Sequence, residues 1–93
     1  MTTKRQIIAE IGSLLGFEAP FLSTGSTEPK SFFILINRAL GLGIDPSSGK
    51  QALARGIVEA SGMVWDADCE STGRTVTLKG MEAVARSVRF LVE

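Results

Sequence analysis

Apolar residues recur at helical spacing in three stretches of this chain and run almost unbroken through a fourth, and a glycine follows three of the four. Such a pattern commits most of the chain to amphipathic helices that must bury their stripes against one another. Ile7, Ile8, Ile11, Leu14 and Leu15 form the first stripe, which predicts a helix from about Thr3 to Leu15 ended near Gly16. Ser31 to Leu40 is nearly all apolar and could be a buried strand. Its flanks decide for a central helix: Ser26, Thr27, Glu28 and Pro29 read as a helix start, and Asn37, Arg38 and Gly41 as a helix end.

Gly41 to Ser47 follows as a turn. Ser48-Gly49-Lys50-Gln51 then fits a capping box, in which the serine oxygen takes the N–H three residues on and the glutamine reaches back. The helix so opened runs from Gln51 to Ala60 and stops at Gly62, with Leu53, Ala54, Ile57 and Val58 inward and Gln51, Ala52, Arg55 and Glu59 outward. Thr77 can cap a last helix, Leu78 to Val92, on which Met81, Val84, Ala85, Val88, Leu91 and Val92 repeat at helical spacing. That helix is still apolar and periodic at Glu93, as expected of a domain excised from a longer protein.

Two segments lack the helical period. Phe17 to Gly25 mixes apolar residues with Pro20, Ser23, Thr24 and Gly25 and suits a connection. Met63 to Cys69 and Arg74 to Leu78 are short strand-like runs around Ser71-Thr72-Gly73, the second carrying β-branched Thr75-Val76-Thr77, and together they predict a hairpin. Alternation would put Trp65, Ala67 and Cys69 on one face of it and Asp66, Asp68 and Glu70 on a wet one.

At 93 residues and 44% hydrophobic content the chain can build one core, so residues 1–93 are expected to form a single domain. Ten basic against ten acidic residues leave no net charge, so any nucleic-acid binding must come from local placement. One cysteine excludes an internal disulfide, and the absence of histidine removes the usual Cys/His zinc sites; a reducing, cytoplasmic setting is expected. Glu10 breaks the apolar run after Met1 to Arg5 before it could act as a signal-peptide core. No stretch approaches the roughly 20 apolar residues of a membrane span, so no membrane partner is expected.

Two helices joined by a turn, then a hairpin, then a helix opening Thr77-Leu78-Lys79-Gly80-Met81 resembles winged-helix DNA-binding domains, in which a Thr-x-x-Gly helix start often follows the wing. The fold this implies is α+β: three helices, a β-hairpin wing and a C-terminal helix. The implied recognition helix is Ser48 to Ser61 and the implied wing tip Cys69 to Arg74. On that resemblance Ser48, Lys50, Gln51 and Arg55 meet the major groove of double-stranded DNA, Lys30 meets phosphate, and Arg74 touches backbone or minor groove. The mix is also similar to accessory domains of restriction-type nucleases, where a neighbouring domain cuts and the winged helix inspects sequence or base modification.

The other chemistry-bearing residues have plainer explanations. Ser47-Ser48-Gly49-Lys50 lacks the earlier glycine and the Gly-Lys-Ser/Thr order of a phosphate loop. Asp66, Asp68 and Glu70 read as a solvated face, Cys69 as a half-buried structural residue and Trp65 as core. Lys79, Glu82, Arg86 and Arg89 read as the polar side of the last helix, with Glu82 and Arg86 spaced to pair. No nucleophile has a base at a telling spacing, so neither enzymatic activity nor a cofactor is expected of the chain by itself. The alternative to DNA binding is a protein-interaction or dimerisation module using the terminal helix.

Overall fold

The computed structural model of the chain describes residues 3–16, 30–70 and 75–92. Among them are α1 (Lys4–Leu15), α2 (Lys30–Leu40), α3 (Lys50–Ala60) and α4 (Leu78–Val92), with one turn of 3-10 helix at Ala67–Cys69. The connection expected over Phe17 to Gly25, the helix start at Ser26 to Pro29 and the wing residues Ser71 to Arg74 lie outside the described residues.

The helix ends follow from side-chain chemistry. Thr3 and Gln6 close a reciprocal box at the start of α1: the Thr3 hydroxyl accepts from the Gln6 N–H at 3.2 Å, and the Gln6 carbonyl accepts from the Thr3 N–H at 2.8 Å. Gly16 ends α1 at φ 77°, a conformation that favours glycine. Thr77 caps α4 through the Gly80 N–H at 3.2 Å.

α4 is the hub. It packs along both α1 and α3 and touches α2 and the 3-10 turn. Gly80, Met81, Ala83, Val84, Ala85, Ser87 and Val88 are all buried on it. The small residues in that run let several neighbours approach one helix. Ile7, Ile8 and Ile11 of α1, Phe32, Phe33 and Ile36 of α2, and Leu53, Ala54, Ile57 and Val58 of α3 complete the core. Each large side chain among them contributes about 1.5–3 kcal/mol by leaving water.

Between α2 and α3 the chain is stapled by Asn37, which is buried. Its amide donates to the Ile44 carbonyl at 2.7 Å and its Oδ1 accepts from the Ile44 N–H at 3.0 Å. This side chain thus gives both polar groups of Ile44 a partner, and the turn has one register.

The α+β, winged-helix-like expectation is overturned between α3 and α4. Where two strands are predicted, the described residues hold a single isolated antiparallel bridge, Glu70 to Val76, and no sheet. The cause is local. Asp66 turns its carboxylate onto the Asp68 N–H at 3.0 Å, and the backbone N–H groups of Cys69 and Glu70 turn back onto the carbonyls of Asp66 and Ala67. An aspartate that bonds its own backbone two residues on competes directly with extended structure. Ala67 is therefore exposed rather than inward with Trp65 and Cys69. Instead of pairing as a strand, Thr77 donates its N–H to the Cys69 carbonyl at 3.0 Å and its hydroxyl to the Asp68 carbonyl at 2.6 Å, tying the turn to the start of α4. The fold is α-helical. No helix among the described residues is long and apolar enough to cross a membrane.

Candidate nucleic-acid interface

α3 begins at Lys50, one residue before the expected Gln51, and its cap position is held by Gly49 rather than Ser48, in extended conformation and with no side-chain cap bond. The preceding turn is organised by Asp45, whose Oδ1 accepts both the N–H and the hydroxyl of Ser47, at 2.9 and 2.8 Å. Ser48 is drawn into the same turn, donating its N–H to the Asp45 carbonyl at 3.0 Å. The predicted capping box is thus not formed. Gln51 reaches across the fold instead, donating its amide to the Thr75 carbonyl at 2.9 Å, and is half-buried rather than outward.

The outer face of α3 consists of Ala52, Arg55 and Glu59, all exposed as expected. Arg55 Nε lies 3.2 Å from Glu59 Oε2, one turn on, with side chains 58% and 52% exposed. Among the described residues Glu59 is the one polar partner of Arg55. Behind this face, α2 and α4 hold the helix.

The six residues assigned to DNA do not share one face. Lys50 and Gln51 stand on the first turn of α3, with Thr75 beside them through the Gln51 bond, and Ser48 in the turn that precedes it. Arg74 lies outside the described residues. Lys50 and Arg55 are five positions apart, which turns them about 140° from each other around the helix. Lys30, half-buried, opens α2. Its charge reaches Asp45: the N–H and hydroxyl of Ser47, and then Lys30, hold that carboxyl below its ordinary range.

The acids that would repel phosphate are engaged. Lys79 of α4 sits 3.2 Å from Asp68 and 3.5 Å from Asp66. The bond it donates to Asp68 and the nearby charge of Asp66 hold the lysine above its ordinary range. Glu70 accepts the indole N–H of the half-buried Trp65 at 2.8 Å. Cys69 is buried rather than half-buried, and desolvation pushes its thiol up. On the far side of α4, Arg89 pairs with Glu10 of α1. No group of three or more metal-capable side chains lies among the described residues.

Three contributors to this geometry have no part in the sequence-level site. Glu59 could have been found from its i,i+4 spacing to Arg55. Asn37 carried a fainter signal, a lone amide in an apolar helix. The junction of Lys79 with Asp66 and Asp68 follows no local spacing rule.

Comparison of the chain with protein-family models, with curated proteins and with solved structures finds no match.

Proposed function

We propose that the chain is a duplex-DNA-binding module that offers the outer face and first turn of α3 to the major groove. The observation that carries this is the setting of α3: braced from behind, it leaves Ala52 and Arg55 outward and opens at Gly49, a cap residue that makes no side-chain cap bond. A helix start of this kind favours a phosphate, and polar side chains on its first turns reach base edges. Lys50 at that start and Lys30 at the start of α2 are the cations for backbone contact. The pairing of Asp66 and Asp68 with Lys79 supports the proposal, because it reduces the repulsion those acids would exert. A cytoplasmic setting suits it too, since Cys69 is a free, buried thiol.

The test is fluorescence anisotropy of a labelled random-sequence duplex at low and at physiological salt. Salt-sensitive binding, lost in the double variant Lys50→Ala, Arg55→Ala with unchanged circular dichroism, is the expected result. No binding at low salt, or unchanged affinity of that variant, would overturn it.

A separate observation favours a second use. Leu14, Phe90 and Val92, at the C-terminal ends of α1 and α4, are 42%, 60% and 41% exposed. Exposed large apolar side chains at a helix end are where a self-contact would gain from burial. The stripe of α4 itself is consumed by the core, so such a contact would use the helix end alone. Sedimentation across a concentration series distinguishes self-association from a monomer.

A further inference from the structure

Resting on the DNA-binding proposal, we infer that Arg55, braced by Glu59, is a guanine reader. The outward face of α3 carries a cation that is already neutralised by a neighbour, with Nε bound to Glu59 at 3.2 Å. A neutral pair makes a poor phosphate ligand, because binding it releases few counterions. The same pair makes a good base reader. The carboxylate takes Nε, which biases the rotamer of the half-exposed side chain and leaves the two terminal nitrogens, a parallel pair of donors, unused by Glu59.

The major-groove edge of guanine presents two adjacent acceptors, O6 and N7. Adenine presents one acceptor and one donor, cytosine a donor, and thymine one acceptor beside a methyl group. Two parallel donors therefore match guanine alone. The other candidate on α3, Gln51, has the bidentate chemistry for adenine, but its amide is turned to the Thr75 carbonyl. Ala52 precedes Arg55 by one turn on the exposed face, and its short side chain lets the helix approach the groove floor closely enough for the arginine to reach.

The experiment selects bound molecules from a pool of short duplexes with randomised positions, using the whole chain. Each guanine in the preferred duplex is then replaced by 7-deazaguanine, which lacks the N7 acceptor, and affinity is read by anisotropy at low salt. The expected result is one enriched guanine whose replacement weakens binding about tenfold or more. That sensitivity should vanish in Arg55→Ala and shrink in Glu59→Gln, with residual binding and circular dichroism retained. Salt-sensitive binding with no guanine preference, or an Arg55→Ala variant that keeps the preference, overturns the assignment of Arg55 while leaving DNA binding in place. Absence of any duplex binding at low salt overturns both.

Discussion

Asn37 shows how much one buried amide can decide, since it satisfies the N–H and the carbonyl of Ile44 and so sets the path from α2 into α3. Asn37→Ala leaves both groups without that partner and is expected to cost about 2–3 kcal/mol, read as a lower urea midpoint with unchanged slope. A loss below about 0.5 kcal/mol would mean that water replaces the amide at little cost. The carboxylates give a pH signature. Desolvation pushes Asp66 up, but the Asp68 N–H and Lys79 outweigh it and leave the carboxyl below its ordinary range. Such a group stabilises the fold above the ordinary aspartate value of about 3.9, and the contribution is lost as pH falls through the lower folded value. Asp45 acts in the same direction. Thermal melts should therefore hold steady down to about pH 4 and fall below it. Asp66→Asn, which can still cap, should make that acid-side fall shallower. Lys79, raised, contributes fully below its ordinary value of about 10.4 and loses its contribution above that.

Among the elements, two glycines make a controlled comparison. A Cβ on Gly80 would sit 2.6 Å from the Cys69 carbonyl oxygen and 2.6 Å from a Val76 methyl, so the 3-10 turn rides directly on α4. On Gly56 it would meet only the Ile44 side chain, its terminal Cδ1 at 2.8 Å and its Cγ1 at 3.2 Å. Gly80→Ala should destabilise by about 1–3 kcal/mol through overpacking against backbone. Gly56→Ala should stay within about 1 kcal/mol of neutral, because Ile44 can swing aside and helix propensity improves by a similar amount. Equal losses at the two sites would contradict the close approach. The four described helices were legible in the sequence because their apolar stripes are local, and Gly16, Gly41 and Thr77 sit where the spacing puts them; the cap of α3 was not, since Gly49 takes the place expected of Ser48. The wing was misread because Thr75-Val76-Thr77 has real strand propensity, but its partner segment is bent by Asp66, and Thr77 is used as a cap. Arg55 and Glu59 could be paired from spacing alone. The bond from Gln51 to Thr75, 24 residues apart, could not.

At the scale of the whole molecule, the number of cations that meet phosphate sets how strongly DNA binding depends on salt. With Arg55 neutralised by Glu59, Lys30, Lys50 and Arg74 remain as assigned phosphate cations, and a plot of log affinity against log salt should have a slope of about −3 or shallower. A slope near −6 or steeper would show that another cationic surface does the binding. Phe90→Ser tests the other exposed feature: a chain that self-associates through this helix end should become monomeric on sedimentation while keeping its melting temperature. The central place of α4 also bears on how the protein comes into being. The hub that walls α1 and α3 is the last of these helices to be synthesised, and the ion pair closing it onto α1 spans 79 residues. Until about residue 88 has cleared the ribosome, Ile7, Ile11, Leu53 and Ile57 have no complete core to enter, so the nascent chain emerges with its oiliest surfaces uncovered and closes late.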